Sequence, residues 1–235
     1  MHNHQFWANH FQCSFVPHLQ RLQRTLEQRL LPAFGDLAAE ADQIQEEAFD
    51  RFNRMPADED CDPAWSAEMA HEEALEHYMG MCAVRQTLLN AFAPILYHTW
   101  EQQLLAFYRR EVLHPIEEHE PKFLKLEVLD TRLSSKGIRL QSLPSWSTIE
   151  ELKHVSNTIK HADGPSAEIV KTQYPTLFEN PTLGDEFSKF KLNYRPRVYA
   201  PLSGDDIYIR EDDLRRYAAA LIDFWSELVH ALADA

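Results

Sequence analysis

The chain has 235 residues, with 23 Lys or Arg against 37 Asp or Glu, which gives a formal net charge of −14. That balance argues against a free-standing binder of duplex nucleic acid, whose affinity comes mostly from neutralised phosphates. A hydrophobic share of 44% and a mean hydropathy of −0.45 describe a globular chain, and no run of about 18 apolar residues is present to span a membrane.

Only 6 glycines occur, and the chain has no GxGxxG, GxxxxGK[ST] or GxSxG motif. Glycine-rich nucleotide folds and α/β-hydrolases are therefore disfavoured, and a helical protein is expected. The opening Met1-His2-Asn3-His4-Gln5 lacks the charged-then-apolar pattern of a leader. Cys13, Cys61 and Cys82 are odd in number and widely spaced, which predicts a reducing, cytoplasmic setting.

In chain order, Leu19, Leu22, Leu26, Leu30, Ala33, Leu37, Ala41, Ile44, Ala48 and Phe52 recur at steps of three and four, predicting one very long helix kinked by Pro32 and Gly35. Pro56 to Pro63 reads as an acidic loop. A second long helix is predicted from Ala64 to Leu113, bent at Pro94 and most apolar between Leu88 and Tyr108, like the central helix of a bundle. A shorter helix follows from Pro121 to Leu133.

Ser147 and Glu150 match a capping box, and Gly164-Pro165 supplies a stop signal, so a helix is predicted between them. Ser166 is placed to cap a short helix to Thr172. Residues 175–197 read as a loop and as the weakest joint of the chain. Val198-Tyr199-Ala200 and Ile207-Tyr208-Ile209 around Ser203-Gly204-Asp205-Asp206 predict a small hairpin. A last helix is predicted from Glu211, with Leu214, Tyr217, Leu221, Phe224, Trp225 and Leu228 as its buried stripe. The predicted architecture is mainly α, a bundle of long helices with a small β-hairpin before the C-terminal helix, in a single domain 1–235. Phe224, Trp225, Trp100 and Trp146 are assigned to the core rather than to base stacking.

The helix after Ser147 divides cleanly on a wheel. Ile149, Leu152, Val155 and Ile159 share one side, and Glu150, His154, Asn157 and His161 share the other, with Lys160 at its border. This polar stripe is consistent with a solvated face and also with acid–base chemistry, since imidazole moves protons near neutral pH and lysine stabilises anionic charge. A second candidate group interrupts the apolar helix at Tyr97-His98-Thr99-Trp100-Glu101, where His98 and Glu101 share a face. They read either as a satisfied pair or as partners of His161 across a shared cleft.

Ser156-Asn157-Thr158-Ile159-Lys160-His161-Ala162-Asp163-Gly164 resembles the signature helix of HEPN-domain proteins, whose motif is R-x(4–6)-H, commonly with a polar residue after the Arg. Asn157 and His161 fit the polar and His positions, and Ser156 stands where the family has Arg. The resemblance covers this helix and, loosely, the long-helix bundle. It implies a helical, often homodimeric protein of bacterial toxin–antitoxin or phage-defence systems that cleaves RNA without a metal or other cofactor. In that reading His161 acts as general acid or base, Asn157 positions the phosphate and Lys160 offsets charge, with His154, His98 and Glu101 completing the site. The Ser at the Arg position and the acidic surface imply the alternative, a catalytically inactive HEPN-like module that binds a protein partner. An Arg arriving from elsewhere, such as Arg85 or Arg109, would restore the catalytic set.

A rival constellation is metallic. Glu68/His71 and Glu151/His154 repeat the helical Glu-x-x-His spacing of di-iron bundles, with Glu46, Glu47, Glu73 and Glu76 as further candidate ligands.

Overall fold

A computed structural model describes residues 4–55, 64–117, 120–123, 125–181, 198–203 and 206–233. The chain is mainly helical, with no strand among the described residues. It forms two compact units, a larger one of 1–25 and 89–235 and a smaller one of Leu26–Leu88.

The larger unit begins with α1 (His4–His10), a π-helical turn (Phe11–Phe15) and α2 (Val16–Thr25). The helix therefore starts well before Leu19. The π-turn presents Phe11 and Phe15 to the last helix, α8 (Glu211–Ala233), where their rings stand 4.5 and 4.9 Å from Trp225. Trp100 and Trp225 both pack edge-on against Phe224, at 5.1 Å. Such pairs each add about 1 kcal/mol to the burial of the rings. Trp100, Phe224 and Trp225 are fully buried, as expected of core residues, while Trp146 is half-buried.

α4 (Trp65–Glu111) spans 47 residues, of which those from Leu89 onward belong to the larger unit. Pro94 is buried inside it and cannot donate to the carbonyl of Asn90. Two buried amides on this helix hold the unit together. Gln103 Nε2 donates to the Phe15 carbonyl at 3.1 Å, and its Oε1 accepts from Trp225 Nε1 at 3.1 Å. Asn90 Nδ2 donates to the Ile207 carbonyl at 2.7 Å, and Asn90 Oδ1 accepts from the Ile209 amide at 3.1 Å.

These Asn90 bonds correct the hairpin expectation. Residues 198–200 and 207–209 form no ladder, and Gly204 and Asp205 lie outside the described residues. The Ile207 carbonyl and the Ile209 amide are satisfied by one side-chain amide that imitates a neighbouring strand, and Tyr208 N donates to Leu177 O at 2.7 Å. A segment so satisfied needs no second strand.

α5 (Leu126–Ser134) follows a single 3-10 turn at Pro121–Phe123. Near it, Arg132 grips Glu117 with two bonds of 2.7 and 2.8 Å, which hold the Glu117 carboxyl down to about 2. α6 (Trp146–His161) packs against α7 (Pro165–Gln173) and α8. The predicted Ser147/Glu150 capping box is not made, because Ser147 already lies inside the helix. Glu227 of α8 takes its place at the helix start, accepting from the amide and hydroxyl of Ser145 at 3.2 and 2.6 Å. At the other end Ala162 adopts φ 56°, and Pro165 opens α7 one residue after Gly164.

The smaller unit consists of a second π-turn (Leu26–Leu30), a 3-10 turn (Leu31–Phe34), α3 (Leu37–Asn53) and the first part of α4. The predicted kink at Pro32 and Gly35 is a full break: Asp36 caps a new helix, accepting from the amides of Ala38 and Ala39 at 3.2 and 3.1 Å. The acidic loop predicted at Pro56 to Pro63 lies outside the described residues, as does most of the joint expected around 175–197. Charge is very unequal between the units. Leu26–Leu88 carries 15 Asp or Glu and four Lys or Arg, against 22 and 19 in the rest of the chain.

Candidate functional site

α6 is wrapped more completely than its wheel suggests. Ile149, Leu152 and Val155 are buried as expected, but so are Glu151, Ser156 and Thr158. The polar stripe divides in two. Near its middle, His154 and Asn157 turn to α7, where both meet one hydroxyl: His154 Nδ1 lies 3.2 Å and Asn157 Nδ2 3.4 Å from Ser166 Oγ. Asn157 donates to that oxygen, which also shares a hydrogen bond with His154 Nδ1. Burial lowers the pKa of His154, and the neighbouring Lys153 lowers it further. This half of the stripe ties α6 to α7.

The end of the stripe behaves differently. Lys160 is exposed and reaches α4, with Nζ 2.7 Å from His98 Nε2. His98 Nδ1 is 3.0 Å from Glu101 Oε2. A lysine ammonium has only donors, so Nε2 accepts; the ring proton then sits on Nδ1 and donates to Glu101. Glu101, His98 and Lys160 thus form one chain of hydrogen bonds across α4 and α6. Tyr97 is buried beside Glu101, and burial first, then that carboxylate, raises the Tyr97 pKa. His161 is the last residue of α6, exposed and adjacent to Lys160. The α6 residue that contacts His98 is therefore Lys160, one position from the His161 expected to share its cleft.

His98 also lines a pocket of about 430 Å³ with Phe15, His18, Thr99, Gln102, Gln103 and Ala106. Its partners are water-accessible, with His98 and Glu101 side chains 44% and 39% exposed. The imidazole is therefore open to solvent.

Ser156, at the position of the family's Arg, is 0% exposed, and its Oγ has no hydrogen-bond partner. Neither Arg85 nor Arg109 bonds to that oxygen. Glu151, a ligand in the di-iron alternative, is engaged otherwise. It accepts from Arg216 Nη1 at 2.8 Å and from the Tyr217 hydroxyl at 2.7 Å. Burial and this carboxylate raise the Tyr217 pKa, and Glu151 raises that of Arg216. His71 Nδ1 lies 3.4 Å from Gln45 Oε1, and Glu73 pairs with Arg51. Among the described residues no group of three or more His, Cys, Asp or Glu is placed to hold a metal ion.

Ser166, expected to cap α7, lies inside that helix and meets His154 and Asn157 instead, and sequence reasoning missed Arg216, Glu227 and Asn90. Only Asn90 carried a local signal: an amide within Leu88-Leu89-Asn90-Ala91-Phe92 requires a partner once buried. The others are surface-type residues whose partners are distant in sequence. Among the described residues no helix is long and apolar enough to cross a membrane. No family model, curated protein or solved structure matches this chain.

Proposed function

We propose that the larger unit is a HEPN-like, cytoplasmic ribonuclease domain that cleaves RNA by metal-independent transesterification at Glu101, His98 and Lys160. The observation that carries this reading is the 2.7 Å contact between Lys160 Nζ and His98 Nε2, with Glu101 holding the opposite ring nitrogen. The resembled family pairs a cation with a histidine. Here the position of its Arg is buried, and Lys160, four residues on, is the cation that meets a histidine.

The chemistry follows from the contacts. An RNA phosphate draws the Lys160 ammonium from His98 to itself, which frees Nε2 to take the proton of the ribose 2′-hydroxyl. The 2′-oxygen attacks phosphorus, Lys160 offsets charge on the non-bridging oxygens, and the 5′-oxygen leaves with a proton from His161. The products are a 2′,3′-cyclic phosphate and a 5′-hydroxyl. Glu101 fixes the tautomer and ring angle throughout. The resemblance adds a homodimer and a bacterial defence or toxin–antitoxin setting to the proposal.

The test is incubation of end-labelled single-stranded RNA with the purified chain in chelator. Cleavage is expected, with a loss of about 100-fold or more in His98→Ala and a clear loss in Lys160→Ala, while His154→Ala retains turnover. Full activity in His98→Ala, or no cleavage by the wild type, overturns the assignment. A second reading, a catalytically inactive HEPN-like module bound to a protein partner, is favoured by the burial of Ser156, which leaves no room for the family's Arg on α6.

A further inference from the structure

The pocket beside His98 has two walls braced against each other. His98, Gln102 and Ala106 follow at steps of four, so they form one row along α4 that advances about 6 Å per step. The other wall is Phe15 of the first π-turn and His18 of α2, three residues apart. Buried Gln103 ties one wall to the other, its Nε2 donating to the Phe15 carbonyl at 3.1 Å, and the Phe15 ring is backed by Trp225 at 4.9 Å. The cavity of about 430 Å³ is thus formed before anything enters it, and it is of a size that takes small molecules.

Its polar groups divide into engaged and free. The Gln103 amide is used at both ends, by Phe15 and Trp225, and the Thr99 hydroxyl donates to the Ile95 carbonyl at 2.8 Å. His18 and Gln102 are exposed and have no hydrogen-bond partner among the described residues. Gln102 carries both donors and an acceptor, and so does the neutral His18 ring. Phe15 and Ala106 supply apolar wall. The occupant that matches is flat, apolar on its faces and hydrogen-bonding at its edge, which describes a nucleobase. A purely apolar ligand would cover His18 and Gln102 without pairing them, and a phosphate alone would leave the apolar wall empty.

The place of the pocket selects which base. It begins at His98, whose Nε2 meets Lys160 Nζ at 2.7 Å, so its occupant lies next to the group that takes the 2′-hydroxyl proton. We propose, resting on the reading of His98 as the catalytic base, that this pocket seats the nucleobase of the nucleotide whose 2′-hydroxyl attacks. Phe15 and Ala106 lie against the ring, and Gln102 and His18 meet its edge. The seat brings the ribose to His98 and the 3′-phosphate to Lys160, and it makes cleavage depend on the base at the cut.

The experiment titrates the full chain with the nucleoside 3′-monophosphates of all four bases, with ribose 3-phosphate and with inorganic phosphate, read by calorimetry, and measures cleavage of end-labelled RNA beside it. At least one nucleotide is expected to bind about tenfold or more tighter than ribose 3-phosphate, the base being the difference. Gln102→Ala with His18→Ala should cut that advantage about fivefold or more. Ala106→Trp, which fills the pocket, should remove the advantage and lower kcat/KM for RNA about tenfold. Affinity for inorganic phosphate should stay the same in both variants. Circular dichroism checks the fold of each, and the double variant, whose two positions are exposed, decides if Ala106→Trp does not fold. The inference is overturned if every nucleotide binds no tighter than ribose 3-phosphate, or if either folded variant keeps the full advantage of the base. The two readings fail separately. Base-dependent affinity in a chain that leaves RNA uncut counts against cleavage alone, whereas RNA cut through His98 with no base-dependent affinity counts against the seat alone.

Discussion

The two units use the same element, the α-helix, to opposite ends. In the larger one, aromatic rings from α1, the first π-turn, α4 and α8 interlock, and the few buried polar groups mostly find specific partners, as Gln103 does with Phe15 and Trp225. In the smaller one, alanines fill the contact between helices and the large side chains face outward. The first arrangement gives rigidity, which is what the spacing of Glu101, His98 and Lys160 requires. The second leaves Phe49, Leu75 and Met79 partly in solvent. Charge divides in the same way, so that the net −14 of the chain is concentrated in the unit with these exposed apolar side chains.

This contrast can be broken by substitution. The largest effect is expected from Trp225→Ala, which removes a fully buried ring and its bond to Gln103, at a cost of about 4 kcal/mol in chemical denaturation. Asn90→Ala should cost about 2 kcal/mol, because it strands the Ile207 carbonyl and the Ile209 amide in the interior. Protease cleavage near residues 206–210 should then become faster, and a variant with wild-type protection there would contradict the role assigned to this amide. The smallest effect is expected from Leu75→Ala, within about 0.5 kcal/mol of wild type, since its side chain is half exposed. A loss comparable to that of Trp225→Ala would show that the smaller unit depends on this residue for its fold, and the contrast would fail.

Much of the helical framework was legible because it rests on local periodicity. α4 was expected over Ala64 to Leu113 and runs Trp65–Glu111, and α8 begins at the predicted Glu211. The departures have long-range causes. The 207–209 segment has a β-like pattern, but its hydrogen bonds go to Asn90, more than a hundred residues away. The start of α6 is set by Glu227 and not by the nearby Ser147 and Glu150. The break at Gly35 was visible as a kink only, because Asp36 was not recognised as a cap. Within the site, Glu101 beside His98 follows from a three-residue step on one helix, whereas the meeting of Lys160 with His98 depends on how α4 and α6 pack. The division of the polar stripe was equally hidden, because it depends on α7 folding back over His154 and Asn157.

The most direct test of the central claim is the chemistry of the RNA ends left by the chelator-treated chain, compared between wild type and His98→Ala. The account predicts 2′,3′-cyclic phosphate and 5′-hydroxyl ends from the wild type and uncut RNA from the variant. Ends bearing a 5′-phosphate, or the same cyclic ends at undiminished rate from His98→Ala, would contradict it.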